Sequence, residues 1–228
     1  MAFEVEIIRG LQSIRNDFFD AFFNLFSYLG SVWAVAVVAL LIFFLYNKKV
    51  GVAFAITEGV AYLSCWLMKN LIKRPRPFVA VENILDIGGE SGFSFPSGHL
   101  TATIVIAIFL FYIAFHIFKK RGKIISSVCI VLYVLLMVVD RMYLGVHYIT
   151  DTIGGIVLGS IWCAVALLAL PPLGRLFDKH YAKIRAKIVA KREAKKEAKQ
   201  EADEELKQDK MPESEGEMPV EHSDKEGE

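Results

Sequence analysis

The sequence predicts an all-α membrane protein: a polytopic helical bundle of about five spans, preceded by an amphipathic helix. Two observations predict this class. First, 54% of the 228 residues are hydrophobic and the mean hydropathy is +0.42, values too apolar for an ordinary soluble domain. Second, several apolar runs reach about twenty residues, the length at which a helix crosses a bilayer. An ordinary soluble domain is therefore excluded.

The first 24 residues predict an amphipathic helix. Apolar side chains recur there at steps of three or four, and most positions between them are polar or charged. The apolar positions are Ile7, Leu11, Ile14, Phe18 and Phe22. We expect this helix either in the lipid interface or packed on the bundle. A sixth span within residues 3–24 is the alternative, and it would move the N-terminus to the cytoplasmic side.

The membrane domain is expected to comprise residues 25–172. Its spans are predicted at about 26–46, 52–72, 99–118, 124–142 and 150–172. Glu58, inside the second span, suits either the bundle interior or a lower boundary of that span. Lysines and arginines follow the first, third and fifth spans, which predicts that those ends and the C-terminus are cytoplasmic. The loop 73–98 and the segment 141–150 then lie on the extracytoplasmic side.

Beyond residue 172 the composition changes twice. Residues 173–210 are rich in Ala, Lys, Glu and Arg, which predicts a charged cytoplasmic helix. Residues 211–228 carry many carboxylates and no aromatic residue. That composition predicts a disordered acidic tail.

Three polar segments interrupt the apolar sequence at the ends of predicted spans. They are Lys69 to Pro77, Pro96 to His99, and Arg141 to Asp151. Ionisable residues at membrane depth are costly, so they indicate a functional site by default. Several cations converging on one point suit a phosphate, which offers several oxygens and more than one charge. The helix that starts after Pro96 would add backbone N–H donors for such an anion.

The histidines and the carboxylate in these segments predict the chemistry. His147 and Asp151 are four residues apart, so they share one face if a helix begins there. A carboxylate bonded to one imidazole nitrogen fixes the tautomer and leaves the other nitrogen free to attack. His99 is a second imidazole, available to protonate a leaving oxygen. The pattern predicts phosphoryl transfer through a covalent phosphohistidine. No metal is expected, because the neighbouring lysines and arginines would repel a cation.

Together the three segments resemble the signature of the type 2 phosphatidic acid phosphatase superfamily. The matching motifs are K-x6-R-P at Lys69, Arg76 and Pro77, P-S-G-H at Pro96 to His99, and R-x5-H-x3-D at Arg141, His147 and Asp151. The resemblance implies hydrolysis of a lipid phosphate or diphosphate without metal or cofactor. Undecaprenyl diphosphate, phosphatidylglycerol phosphate and phosphatidate are the substrates it suggests.

The resemblance also implies a role for each motif residue. His147 would be the nucleophile, Asp151 its partner and His99 the general acid. The phosphate would be bound by Lys69, Arg76, Ser97, Gly98 and Arg141. The expected partners are the lipid substrate and the membrane, with no nucleic acid, and the sequence predicts no oligomeric state.

One position departs from the family pattern. The residue before Arg141 is usually Ser in the family, and here it is Asp140. A carboxylate there would either weaken the grip of Arg141 on phosphate or hold its guanidinium in position. A non-catalytic membrane protein that binds lipid phosphates or other anions is the alternative function. An anion channel or transporter is a weaker alternative, because the sequence shows no internal repeat or pair of broken helices.

Overall fold

The structure is a computed structural model that describes residues 2–169, and these residues form helices and loops without a β-strand. The eight α-helices are α1 (Ala2–Ser13), α2 (Asp17–Ser27), α3 (Val32–Leu41), α4 (Lys48–Ile72), α5 (Pro77–Ala80), α6 (Gly98–Ile117), α7 (Lys120–Tyr143) and α8 (Ile149–Ala169). A 3-10 turn, Tyr28–Gly30, follows α2, and a π-helical turn, Ile42–Tyr46, follows α3. The predicted all-α class is confirmed.

Four described helices are long and apolar enough to cross a membrane: α4 together with α5, α6, α7 and α8. Asp17–Gly30 and Val32–Tyr46 form a bent pair at 52°, which makes a fifth candidate if the pair is one span. The sequence predicted a straight span at 26–46 instead. Gly30 and an extended Ser31 interrupt the helix there, and the part after the break is shorter than the roughly 20 residues a straight span needs. The described residues contain no sixth candidate.

The N-terminal stretch is two helices rather than the single helix expected over residues 1–24. Asn16 adopts an extended backbone, and its Oδ1 accepts a hydrogen bond from Phe19 N at 2.9 Å, which caps α2. Helix α1 packs on the bundle: Ile8 is fully buried against a cluster that includes Ile84, Met142 and Tyr148. The first helix therefore contacts the turn between α7 and α8.

Helices α6 and α8 approach each other closely because glycines line the contact on α8. A Cβ on Gly155 would lie 2.5 Å from Ser97 O, and one on Gly159 would lie 2.7 Å from Thr101 O. Both distances are shorter than any real Cβ contact, so only glycine permits this approach. The backbone of Ser97 N also donates to Asp151 O at 3.0 Å. The start of α6 is thus fixed against the start of α8.

Two breaks place charged residues at one end of the bundle. Lys73 ends α4 in the left-handed conformation, with φ of 52°, and the Arg-Pro-Arg-Pro segment follows before Pro77 begins α5. Gly145, with φ of 75°, turns the chain between α7 and α8, and a Cβ on it would lie 2.2 Å from Leu85 O. Both breaks bring Arg and His residues to the end where α6 begins.

Glu58 lies on the interior side of α4. Its side chain is buried, and Oε1 has no hydrogen-bond partner among the described residues. The interior placement is therefore the one that the structure supports. The predicted helix over 173–210 and the predicted acidic tail over 211–228 lie outside the described residues.

Candidate active site

The three polar segments converge at one end of the bundle, where α4 and α7 end and α6 and α8 begin. At their centre lies a carboxylate that sequence reasoning did not single out, that of Glu90 in the loop between α5 and α6. Its Oε2 lies 2.9 Å from Arg76 Nη1, and its Oε1 lies 2.6 Å from Arg141 Nη1. His99 Nδ1 is 3.3 Å from Oε1, and His147 Nε2 is 3.9 Å from Oε2. Four predicted site residues therefore face one anion.

Arg76 is buried and held by backbone carbonyls on three sides. Its Nε donates to Gly92 O at 3.1 Å, its Nη2 to Ser91 O at 2.9 Å, and its Nη1 to Val146 O at 3.1 Å. These contacts fix the guanidinium plane and leave Nη1 able to reach an anion as well. The arginine thus also joins the loop before α6 to the turn before α8.

Arg141 is fully buried, and Asp140 holds it from behind. Its Nε donates to Asp140 Oδ2 at 2.6 Å, and Nη2 contacts the same carboxylate and Ser27 Oγ. Nη1 is left directed at Glu90. The geometry supports the interpretation in which Asp140 positions the guanidinium. Asp140 Oδ1 has no hydrogen-bond partner within residues 2–169.

Lys69 lies at the edge of this group. Its ammonium donates to Phe93 O at 2.6 Å and to Ser94 O at 3.3 Å, so it ties the end of α4 to the loop before α6. An ammonium has three donors, and these two contacts leave one for an anion. Among the three predicted phosphate-binding cations, Arg76 and Arg141 pair with Glu90, and Lys69 forms no hydrogen bond or ion pair with Glu90 within residues 2–169.

Ser97 and Gly98 form the N-terminus of α6. Ser97 Oγ accepts from Leu100 N at 3.4 Å, so the serine serves as the helix cap. A Cβ on Gly98 would meet only Cys65 Sγ, at 3.8 Å. Packing therefore does not require glycine here. The open face leaves room for an anion to approach the backbone N–H groups.

His147 and Asp151 lie next to each other, with Ser94 beside them, although α8 begins only at Ile149 and the expected shared helical face is absent. His147 Nδ1 lies 3.5 Å from Asp151 Oδ2 and 3.4 Å from Ser94 Oγ. The Ser94 hydroxyl also donates to Asp151 Oδ2, and Tyr148 N donates to the same oxygen at 2.9 Å. The imidazole is buried, with Nδ1 toward the Asp151 carboxylate and Nε2 toward the Glu90 carboxylate that pairs with Arg76 and Arg141. That orientation suits attack by Nε2.

Arg74 is a further residue that the sequence does not single out, because a basic charge at the end of a membrane helix is common. Its Nη1 donates to Asp151 Oδ1 at 2.6 Å and to Thr150 Oγ1 at 2.6 Å. Its Nη2 lies 3.2 Å from Glu4 Oε2 on α1, and Thr150 Oγ1 donates to Glu4 Oε1 at 2.5 Å. The carboxylate partner of His147 is thus connected to the first helix through an arginine.

The electrostatics of the site favour a neutral imidazole and a charged Glu90. Burial lowers the pKa of His147 to about 4, against a smaller opposing effect of its Asp151 contact. Burial raises the pKa of Glu90, but His99, His147, Arg141 and Arg76 outweigh it and bring the pKa to about 2. At neutral pH the structure therefore presents an unprotonated imidazole nitrogen to a strongly cationic pocket.

Two sequence signals pointed toward the missed residues. Buried arginines need counter-charges, and Asp140 and Asp151, the two carboxylates in or next to the polar segments, are fewer than the three arginines Arg74, Arg76 and Arg141. The acidic residues of the Gly-rich loop, Glu82, Asp86 and Glu90, were the available candidates. Their spacing does not show which one turns inward, because the loop has no periodicity.

Several known proteins are similar in sequence to this chain. A family model described as the PAP2 superfamily matches residues 48–175. Phosphatidylglycerophosphatase B of Bacillus subtilis is 34% identical over 122 residues, which cover 52% of this chain and 57% of that protein. The chain therefore spans little more than half the length of this relative. Lipid A 4'-phosphatase of Bacteroides thetaiotaomicron is 30% identical over 173 residues, covering 69% of this chain and 72% of the relative.

A solved structure shares the fold. The crystal structure of a transmembrane PAP2 type phosphatidylglycerolphosphate phosphatase from Bacillus subtilis aligns with a TM-score of 0.62 at 24% identity. The alignment covers 72% of this chain and 83% of that chain. At this identity the likeness concerns the arrangement of helices.

Proposed function

Because the chain belongs to the PAP2 superfamily, we propose that it is an integral membrane phosphatase that hydrolyses a lipid phosphate or diphosphate through a phosphohistidine. The observation that carries this proposal is the orientation of His147. Its Nδ1 faces Asp151, and its Nε2 faces the point where Arg76 and Arg141 converge. A phosphoryl group bound by the two arginines would lie in front of an unprotonated nitrogen.

In the first step, His147 Nε2 forms a bond to phosphorus while the bond from phosphorus to the leaving oxygen breaks. Arg76 and Arg141 stabilise the equatorial oxygens, with further donors from the α6 N-terminus at Gly98. His99 gives its proton to the leaving oxygen of the lipid. The leaving group is an alcohol when the substrate is a phosphomonoester and a lipid phosphate when it is a diphosphate. Asp151 stabilises the positive charge that develops on the His147 ring.

In the second step, water attacks the phosphohistidine. The neutral His99 takes a proton from this water, the bond between phosphorus and Nε2 breaks, and inorganic phosphate leaves. Both histidines then return to their starting protonation states. His99 makes both proton transfers of this cycle: it donates to the leaving oxygen and accepts from the attacking water.

The bundle suggests which membrane side the site faces. Lys48 and Lys49 begin α4, and Lys119 precedes α7 in a basic cluster, whereas the site lies where those same helices end. Basic flanks favour the cytoplasm. We propose that the site opens on the extracytoplasmic side and that the C-terminus is cytoplasmic. A lipid would enter sideways from the outer leaflet.

The substrate class follows from the family and from the relatives. Undecaprenyl diphosphate, phosphatidylglycerol phosphate and phosphatidate each present a terminal phosphate that the arginine pair can bind. The name of the Bacteroides thetaiotaomicron relative adds the 4'-phosphate of lipid A. All four place a charged phosphate at the membrane surface next to a long apolar anchor.

One observation favours a second candidate, a non-catalytic protein that binds anions. Arg76 and Arg141 both have a carboxylate partner in Glu90, so their burial is satisfied without a substrate. The orientation of His147 argues against this candidate, because simple binding needs no imidazole aligned by a carboxylate.

The experiment measures phosphate release by detergent-purified protein, with EDTA present, across the four lipids. His147→Ala is the test variant and His116→Ala, an exposed histidine on α6, is the matched control. We expect turnover of at least one lipid, full loss in His147→Ala and retention in His116→Ala. A radiolabelled substrate, quenched in alkali, should leave label on His147 in the wild type. Turnover by folded His147→Ala would refute the mechanism, and no turnover on any lipid would favour the anion-binding protein.

A further inference from the structure

Glu90 occupies the position that the proposed mechanism assigns to the phosphate. Its two oxygens contact Arg76 and Arg141 at 2.9 and 2.6 Å and lie 3.3 and 3.9 Å from nitrogens of His99 and His147. A phosphorus atom under attack by His147 Nε2 must lie about 3–3.5 Å from that nitrogen. The Glu90 carboxylate and a substrate phosphate therefore cannot be bound at the same time.

We infer that Glu90 is a built-in competitor that weakens the binding of every anion in the site: its carboxylate must leave the arginine pair before a phosphate binds. This inference rests on the proposed function, because it concerns the same pocket. It goes further by giving an acidic loop residue, which belongs to none of the three motifs, a role in keeping free anions out of the pocket.

The two arginines do not need Glu90 to hold their positions. Arg76 is fixed by the carbonyls of Ser91, Gly92 and Val146. Asp140 holds the other side of the Arg141 guanidinium. Both cations therefore remain in place when Glu90 leaves, ready for a new anion.

The motion that frees the pocket is confined to one side chain. The loop is anchored before Glu90 by Ile87 N, which donates to Leu144 O at 3.1 Å, and after it by the contacts of Arg76 with Ser91 and Gly92. The Glu90 side chain itself is 22% exposed, so it has a route to solvent. Rotation about its two methylenes is enough to move the carboxylate away from the arginines.

Competition by a tethered group has a defined consequence. A group on a short tether acts at an effective concentration in the millimolar range. It therefore weakens the binding of every anion that needs the pocket by the same factor. Inorganic phosphate has no contact outside the pocket, so this factor keeps it out at low concentrations. A lipid phosphate is concentrated in the bilayer and also buries its chain. Glu90 therefore keeps inorganic phosphate, including the released product, out of the pocket at concentrations at which a lipid phosphate concentrated in the bilayer still binds.

The test measures binding, which needs no turnover. Calorimetry of inorganic phosphate and of orthovanadate is carried out on the wild type, Glu90→Gln, Glu90→Asp and Glu82→Gln in one detergent. Glu82→Gln is the matched control, because Glu82 is an exposed carboxylate of the same loop. Glu90→Asp keeps the charge but is one methylene shorter, so it separates occupation of the pocket from a general field effect.

We expect Glu90→Gln to lower the Kd of phosphate and of vanadate by one common factor of about tenfold or more. The reason is that the competing side chain loses at least one charge-assisted hydrogen bond to the arginine pair. Glu90→Asp should lie between Glu90→Gln and the wild type, and Glu82→Gln should bind like the wild type. In the kinetic assay, the KM for the lipid and the Ki of phosphate should fall by that same factor, while kcat does not rise.

Unchanged or weaker phosphate binding by folded Glu90→Gln would overturn the inference, and so would clearly different factors for phosphate and vanadate. Folding is checked by a cooperative thermal transition measured without phosphate, and Glu90→Asp takes over the test if Glu90→Gln is unfolded. A wild type that turns over lipid with no effect of Glu90→Gln refutes only the inference. Tighter binding by Glu90→Gln in a protein without turnover refutes only the proposed function.

Discussion

Substitution of Gly155 by Ala tests whether the α6–α8 contact sets the geometry of the site. The new Cβ would lie 2.5 Å from Ser97 O and 3.0 Å from Leu100 Cβ, whereas an ordinary contact begins at 3.4 Å. Ser97 O cannot turn away, because it accepts the first hydrogen bond of α6 from Thr101 N at 3.0 Å. The start of α6 must therefore retreat from α8 by about 0.9 Å.

This displacement separates the groups that the mechanism needs together. Gly98 and His99 move with α6, while Asp151 stays with α8. A misplacement of about 1 Å costs on the order of 100-fold in rate, so we expect kcat/KM of Gly155→Ala to fall by about that factor. Overpacking should also destabilise the fold by about 1–3 kcal/mol, which appears as a lower thermal midpoint.

The assay compares phosphate release well below both thermal midpoints with the matched variant Gly59→Ala. Gly59 lies on an exposed face of α4, and a Cβ there would have no heavy atom within 4 Å. That control should keep wild-type kcat/KM and should not lose stability. If Gly155→Ala retained kcat/KM within about threefold of wild type, the contact with α8 would not determine the position of the α6 N-terminus.

Three further predictions concern the charged residues. Arg74→Met removes a charge-assisted hydrogen bond to Asp151, so kcat should fall about tenfold to hundredfold with little change in KM; an unchanged kcat would contradict the positioning role. Asp140→Ser leaves Arg141 less firmly held, so KM and the Ki of phosphate should rise together, and a fall in both would instead show that Asp140 weakens binding. The pKa of His147 is about 4, below the ordinary value of 6.5. Between these two pH values the unfolded chain binds a proton at His147 and the folded protein does not, so the free energy of unfolding falls as the pH falls. The thermal midpoint of the wild type should therefore drop more steeply than that of His147→Asn from pH 6.5 toward 4, and parallel curves would refute the shift.

The convergence of the motif residues could be predicted from the sequence. Arg76 follows the end of one apolar run, His99 begins another, and Arg141 and His147 flank the short connection between two more. Antiparallel neighbours in a bundle bring such ends together whatever the details of packing. The lengths of the runs therefore sufficed to place these residues at one site.

The residues in contact with the motif were harder to predict. Glu90 and Ser94 belong to a loop without periodicity, so their direction depends on tertiary contacts such as those of Arg76 and Lys69. The sequence does not distinguish Arg74 from an ordinary flanking charge, because basic residues commonly follow the end of a membrane helix. The break in the first span was signalled by Gly30, but the tendency of long apolar runs to form straight helices outweighed that signal.

The hydrogen bonds between Glu4 and Thr150 join residues 146 positions apart, and this separation has a consequence for biogenesis. A ribosome delivers α1 to the membrane long before α8, so Asp151 can be joined to the first helix, through Arg74 and Glu4, only after α8 has been inserted. Until then, the imidazole that would attack phosphorus and the carboxylate that aligns it are not yet in place. A nascent chain therefore completes this cluster of contacts in one late step, and under the proposed function it is inactive until then.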